Sequence, residues 1–154
     1  MTNNDVLRRL RYVFDFDDDK MIELFGLADL EVTRAEISDW LKKDDDPDYQ
    51  RCTDQQMATF LNGLIIDRRG MQDGPQRPPE RSLGNNLTFM KLKIALNLKA
   101  EDVLEVLKLG DFTMSKHELS AFFRKPGHKH YRECQDQVLR NFLKGMQLKY
   151  RDNK

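Results

Sequence analysis

The stretch YQRCTDQQMATFLNGL, residues 49–64, is nearly repeated as YRECQDQVLRNFLKGM, residues 131–146. The two stretches share their Tyr, Cys, Asp-Gln and Phe-Leu-x-Gly positions at a constant offset of 82 residues. When the comparison is extended outward, residues 3–69 align with residues 85–151 without a gap. Helical patterning alone would not keep Asn, Tyr, Cys and Gly in step over this length, so the sequence indicates a tandem duplication.

Four positions form the repeated structural signature of each copy. They are Tyr49, Cys52, Asp54 and Gly63 in the first copy, and Tyr131, Cys134, Asp136 and Gly145 in the second. We expect the Tyr to hold down the loop before a helix, the Cys to be a small buried side chain, and the Asp to favour the positive end of that helix. A mid-helix Gly costs about 1 kcal/mol relative to Ala. Its presence in both copies therefore predicts close approach of another helix.

The sequence predicts four helices in each copy, because apolar residues recur at helical spacing and no segment alternates as a strand would. Each helix has a start signal at the same place in both copies. The expected starts are the caps Asn4 and Asn86, the acidic pairs Asp18-Asp19 and Glu101-Asp102, the capping boxes Thr33–Glu36 and Ser115–Glu118, and the first-turn acids Asp54 and Asp136. The third helix of the second copy is expected to carry Leu119, Phe122 and Phe123. The predicted fold is all-α, with two similar four-helix modules in tandem and about eight helices.

A segment rich in Pro and Gly separates the two copies. Residues 70–84 hold three of the five prolines and three of the eight glycines, which is typical of an extended linker. The expected organisation is a first helical copy at 1–69, a linker at 70–84 and a second helical copy at 85–154.

The 154-residue chain is long enough to bury a hydrophobic core without disulfides. Its N-terminus, MTNNDVLRRLRYVF, has no apolar signal-peptide core, and no apolar run reaches the roughly 20 residues that span a bilayer. We therefore expect a cytoplasmic protein without a membrane segment. In that reducing compartment, Cys52 and Cys134 are expected to remain thiols.

The whole chain resembles the YehS-like family, small uncharacterised bacterial proteins that carry two tandem copies of a domain of unknown function. The resemblance rests on NNDVLRRLRYVF, EISDWLKK, YQRC and FLNGLI in the first copy, and on HKHYRECQDQ and FLKG in the second. It extends over both copies and the linker. It implies the duplicated architecture and no particular activity, because the family offers no established chemistry to transfer to named residues.

A helix-turn-helix is one alternative for MIELFGLADLEVTRAEISDWLKK, residues 21–43. Its connection GLADLEV is longer than the roughly three or four residues that the motif allows. The second helix would also present Glu36 and Asp39 towards DNA phosphates. The sequence therefore favours an ordinary helical hairpin.

Metal and nucleophilic sites also have weak support. His128 and His130 lie near Cys134, a set that could contribute to a zinc site, but the first copy has no histidine at these positions. The acidic run KDDDPD lacks the Gly and distant Glu of a calcium-binding EF-hand loop. A thiol beside a helix start could be activated, but the first copy offers no histidine as a base. We expect no metal, no cofactor and no catalytic residue.

Charge separates the two copies. Residues 1–69 hold 10 Lys and Arg against 16 Asp and Glu, a net charge of −6, and residues 70–154 hold 16 against 10, a net charge of +6. The contrast is greatest between KKDDDPDYQR in the first copy and RKPGHKHYRE in the second. The candidate contacts for an anionic partner are Arg124, Lys125, His128, Lys129, His130 and Arg132. Such a cluster can steer an anionic partner, although a solvated face is the simpler interpretation.

The expected function is a non-catalytic helical interaction module, regulatory in one version of this hypothesis, that binds a protein partner. The first alternative is a weak nucleic-acid binder that uses the basic second copy, and the second is an enzyme whose site straddles the copies. Protein is favoured over nucleic acid because the whole chain is neutral and Tyr131 alone interleaves the basic run. Self-association is compatible with the opposite charges of the copies.

Overall fold

The computed structural model describes residues 1–74 and 76–152 and consists of α-helices joined by short loops. The first module contains α1 (Asn3–Phe14), α2 (Asp18–Leu27), α3 (Arg34–Leu41) and α4 (Asp54–Arg69). The second contains α5 (Asn85–Ala95), α6 (Ala100–Leu109), α7 (Lys116–Ala121) and α8 (Asp136–Met146), and a π-helical turn, Gln147–Arg151, follows α8. The described residues contain no strand, which confirms the prediction of an all-α fold with two four-helix modules in tandem. None of the helices in these residues has both the length and the apolar composition needed to cross a membrane.

The chain divides into two compact units, Met1–Leu83 and Gly84–Lys154. The expected linker, 70–84, forms no helix over its described residues, and hydrogen bonds attach its Gln76 and Leu83 to the first module. The Gln76 amide donates to the Leu27 carbonyl oxygen, and the Leu83 N–H donates to Asp54 Oδ2. Pro75 of the expected linker, and Asn153 and Lys154 of the expected second copy, lie outside the described residues.

The helix starts agree with the sequence at α2, α3, α4, α6, α7 and α8. Thr33 and Ser115 form the expected capping boxes, in which each hydroxyl accepts from a backbone N–H three residues later and the Glu carboxylate accepts from the cap N–H. The prediction that Asn4 and Asn86 cap the first helix of each copy is wrong. Thr2 caps α1 and Gly84 precedes α5, because the asparagine side chains are used elsewhere.

The third helix of the second copy is shorter than expected. Helix α7 ends at Ala121, so Phe122 and Phe123 lie in the turn that follows it and not on the helix. Their backbone N–H groups donate to the carbonyl oxygens of Leu119 and Ser120, three residues earlier. These i→i−3 bonds are the tighter 3₁₀ type that commonly ends a helix. This turn leads directly into residues 124–132, the loop that contains the six predicted contacts for an anionic partner.

Each module has its own apolar core with a cluster of aromatic rings. In the first module, the Phe25 ring of α2 lies 5.4 Å from the Trp40 ring and 5.2 Å from the Phe60 ring, measured between centroids. In the second module the central ring is Phe89 of α5, 4.7 Å from Phe142. The position equivalent to Phe25 is a leucine in the second module, and the position equivalent to Phe89 is a leucine in the first. The central aromatic ring therefore comes from the second helix of the first module and from the first helix of the second module. A large apolar side chain occupies both positions in each module.

The repeated glycines lie where two helices cross, as the sequence predicts. A Cβ atom added to Gly63 of α4 would collide with the backbone carbonyl of Leu24 in α2. A Cβ atom added to Gly145 of α8 would collide in the same way with the carbonyl of Val106 in α6. Because the obstacle is backbone and not a flexible side chain, the two helices could accept a larger residue only by moving apart.

Candidate functional site

The basic loop, residues 124–132, connects the turn after α7 to the segment that precedes α8. The six basic residues identified from the sequence, four lysines and arginines and two histidines, are all exposed, whereas Tyr131 is half-buried. Five of the six residues lie within the seven-residue stretch 124–130, on either side of its Pro126-Gly127 step, and the sixth is Arg132. The structure thus gathers four of the lysines and arginines of the second module, and two histidines, on one exposed loop.

Backbone hydrogen bonds fold the basic loop into a compact turn. The His128 N–H donates to the Lys125 carbonyl oxygen over 3.0 Å, and the Tyr131 N–H donates to the His128 carbonyl oxygen over 2.9 Å. The His128 side chain also takes part, because its Nδ1 accepts from the His130 N–H over 3.0 Å. The charged side chains are therefore displayed on an ordered turn.

An asparagine holds both ends of this loop. The Asn86 amide nitrogen donates to the carbonyl oxygens of Phe122, at 3.0 Å, and Arg132, at 2.7 Å. Its Oδ1 accepts from the Cys134 N–H at 2.9 Å. We call this three-bond arrangement the asparagine clamp. Sequence reasoning missed it, since Asn near a helix start is a common cap.

The first module contains the same asparagine clamp. The Asn4 amide nitrogen donates to the carbonyl oxygens of Trp40, at 2.9 Å, and Gln50, at 2.8 Å. Its Oδ1 accepts from the Cys52 N–H at 3.1 Å. Asn4 is only 1% exposed. Every partner in one module lies 82 residues from its counterpart in the other, so the clamp is part of the duplicated scaffold.

A cavity of about 480 Å³ lies between α7 and the basic loop. Four of the six predicted cations line it, and Lys125 and His128 do not. Its lining consists of Met114, His117, Glu118, Ser120, Ala121, Phe122, Arg124, Lys129, His130, Tyr131 and Arg132. The cavity therefore combines cationic groups with the apolar surface of aromatic and aliphatic side chains.

One carboxylate lies among these cations. The Ser115 backbone N–H donates to Glu118 over 2.9 Å, and this bond, with the Ser115 hydroxyl and the charges of Arg132 and His117, holds the pKa of the Glu118 carboxyl below its usual range. Glu118 is thus ionised at neutral pH and committed to the capping box of α7. It offsets part of the positive charge without reversing it.

His117 and Phe122 line the cavity. Neither is among the six residues that the sequence predicted to contact an anionic partner. His117 lies on α7 and has Ala35 as its counterpart in the first copy, and Phe122 has Trp40. The available signal was the difference between the two copies. His117, like His128 and His130, appears in the second copy alone.

The two signature thiols are buried. Cys52 is 0% exposed and Cys134 is 4% exposed, and both are free cysteines. Burial raises the pKa of each thiol to about 12. Each thiol is therefore protonated at neutral pH and is not activated as a nucleophile.

The histidines do not assemble a metal-binding group within the part of the chain that the structure describes. The rings of His128 and His130 lie 5.6 Å apart between centroids. Among residues 1–74 and 76–152, no three His, Cys, Asp or Glu side chains are arranged to hold a metal ion. The arrangement at the basic loop is instead suited to binding an anionic group through charge and hydrogen bonds.

Comparison with known proteins agrees with the duplicated architecture. The family described as "Protein of unknown function (DUF1456)" matches residues 3–70 and again residues 85–152. The chain is 41% identical over 147 residues to "Uncharacterized protein YehS" from Escherichia coli (strain K12), a match that covers 95% of this chain and 94% of that protein. No solved structure matches the chain. Two family matches in tandem and this close relative show that the chain belongs to the DUF1456 family, of which it carries two copies.

Proposed function

We propose that this protein is a non-catalytic interaction module that binds an acidic segment of a protein partner at the basic loop of its second module. The observation that carries the proposal is the cavity beside that loop. Its lining includes Arg124, Lys129, His130 and Arg132 together with Phe122 and Tyr131. A cytoplasmic location is part of the proposal and is supported by the two free thiols.

The mixed lining supports a peptide as the ligand. Carboxylates would bind the guanidinium and ammonium groups through charge-assisted hydrogen bonds. A proline or aliphatic side chain between the carboxylates would cover the aromatic surface. A cavity of about 480 Å³ has room for a short turn or a few side chains.

Nucleic acid is less well supported as the partner. Proteins that bind single strands combine a positive groove along the backbone with aromatic side chains on which successive bases stack. In the basic loop the aromatic side chain is Tyr131, which is half-buried, and four basic residues of the loop line one cavity and not an extended groove.

The test compares two probes of equal charge, a labelled Asp-rich peptide that contains one proline and a single-stranded oligonucleotide. The cavity variant Arg124→Glu with Lys129→Glu should weaken peptide binding by at least about tenfold, because two contacts become repulsive. Binding should also weaken as salt screens the charges. The measurement is fluorescence anisotropy at low and high salt.

A matched control variant distinguishes the effect of the cavity residues on peptide binding from the effect of net charge. Lys99→Glu with Lys108→Glu makes the same change in charge at exposed positions of the second module outside the cavity lining. This control should retain most of the peptide affinity. Tighter binding of the oligonucleotide, lost in the cavity variant, would replace the proposal with the nucleic-acid alternative. Peptide binding that is equal in the cavity variant and the control would refute it.

A further inference from the structure

The acidic loop, residues 42–50, is an ordered turn on the first module. The Asp46 N–H donates to the Lys43 carbonyl oxygen and the Tyr49 N–H donates to the Asp46 carbonyl oxygen, each over 3.0 Å. Asp46 Oδ1 accepts from the Asp48 N–H over 2.9 Å. Asp44, Asp45 and Asp48 are exposed on this turn. The carboxylates are therefore displayed by a defined backbone conformation.

The acidic loop and the basic loop are built on the same hydrogen-bond scheme. Asp46 and His128 occupy equivalent positions, and the side chain of each accepts from the N–H two residues later. The last residue of each loop donates its N–H to equivalent positions near the end of the third helix, Gln50 to Asp39 and Arg132 to Ala121. Duplication has thus produced two turns of similar construction and opposite charge.

The acidic loop has the composition that the cavity requires. It places carboxylates on both sides of Pro47, which is exposed. The cavity lining combines basic side chains with the aromatic side chains of Phe122 and Tyr131. Because the turn is already ordered by its own hydrogen bonds, little conformational entropy would be lost when it binds.

We infer that the acidic loop of one chain binds in the cavity beside the basic loop of a second copy of the same chain. This inference rests on the proposed function and identifies the acidic protein segment as the chain's own residues 42–50. Each chain offers one acidic loop and one cavity, and its net charge is zero, so association joins unlike surfaces without accumulating charge. The association is head to tail and weakens as salt screens the contact.

A charge exchange tests the inference by sedimentation velocity at low and high salt. The cavity variant, Arg124→Glu with Lys129→Glu, and the acidic-loop variant, Asp44→Lys with Asp45→Lys, should each self-associate at least about tenfold more weakly than wild type. An equimolar mixture of the two variants should associate again, because every contact between them pairs opposite charges. A single chain with all four substitutions should likewise recover self-association.

Controls make the same charge changes away from the two loops. Lys99→Glu with Lys108→Glu matches the cavity variant, and Glu31→Lys with Asp73→Lys matches the acidic-loop variant, all at exposed positions. Both controls should associate as wild type does. Far-ultraviolet circular dichroism of each variant shows whether it is folded, and the mixture of two-site variants gives a result even when the four-site chain does not fold.

The outcomes separate this inference from the proposed function. Recovery in the mixture, with both controls unaffected, supports self-recognition. A wild-type chain that stays monomeric at low salt, or a mixture that does not associate, overturns it. If in that case the Asp-rich peptide still binds and the cavity variant still loses it, the acidic partner is another protein and the proposed function stands. If the chain neither self-associates nor binds the Asp-rich peptide at the cavity, both the inference and the proposed function are overturned.

Discussion

Gly63 of α4 and Gly145 of α8 lie where a helix backbone runs against the carbonyl of a neighbouring helix, Leu24 of α2 or Val106 of α6. A glycine in the middle of a helix is unfavourable by itself, because the unfolded chain loses more conformational freedom there. Close packing of the two helices offsets this cost. The sequence could predict the crossing because the unfavourable residue recurs at the same place in both copies.

Replacing Gly63 with Ala should destabilise the protein by about 3 kcal/mol or more, since the new methyl group meets backbone that cannot rotate away. Gly26 provides a matched control within α2, because a Cβ atom there meets nothing within 4 Å. Gly26→Ala should stabilise by about 0.5–1 kcal/mol through helix propensity. Urea unfolding followed by circular dichroism measures both, and equal effects of the two substitutions would contradict the helix crossing.

The asparagines were harder to interpret from the sequence. Asn4 lies at a helix start, where a cap is the commonest use of asparagine, and its partners are the carbonyl oxygens of Trp40 and Gln50 and the N–H of Cys52. These partners are 36 to 48 residues away along the chain. A local pattern cannot show such partners. The repeat of Asn in both copies signalled importance without showing the type of contact.

At the scale of the element, the asparagine clamp joins the first helix of each module to the end of the third helix and to the loop before the fourth. In the second module it fixes the two ends of the basic loop, at Phe122 and Arg132. The clamp therefore connects the duplicated scaffold to the candidate site. The helices could be predicted from periodicity and start signals, whereas the cavity depends on the early end of α7 and on these distant bonds.

Asn4→Ala should destabilise the first module by about 3 kcal/mol, because it leaves buried N–H and carbonyl groups without their partners. Asn86→Ala should cost less, about 1–2 kcal/mol, because Asn86 is half-buried and water can replace part of its bonding. Urea unfolding of the two variants against wild type makes the comparison. A larger loss from Asn86→Ala than from Asn4→Ala would contradict the dependence on burial.

At the scale of the whole molecule, the duplication explains the fold, and the differences between the copies suggest the function. Helix order, the glycine crossings and the clamp are the same in both modules. Charge is not, as the acidic loop and the basic loop show. The sequence predicted this charge difference directly, because charge can be counted. It could not predict that Arg124 and Lys129 share a cavity with His117 while Lys125 does not, since this depends on side-chain placement.

The duplicated thiols should make the free energy of unfolding fall as the pH becomes alkaline. Burial raises the pKa of the Cys52 thiol from 9.0 to about 12, so above pH 9 the unfolded chain loses a proton that the folded chain keeps. The thiol's contribution to stability is therefore complete below pH 9 and is lost as the pH rises towards 12. The stability difference between wild type and Cys52→Ala should shift against wild type by about 1.4 kcal/mol in total between neutral pH and pH 10, with most of the shift above pH 9. Urea unfolding of both proteins from neutral pH to pH 10 measures this shift, and lysine and tyrosine titrations cancel in the difference.

Cys134→Ala removes a thiol whose pKa is raised by the same cause, so this variant should give the same dependence on pH. A difference that does not change with pH would show that the thiols ionise in the folded protein.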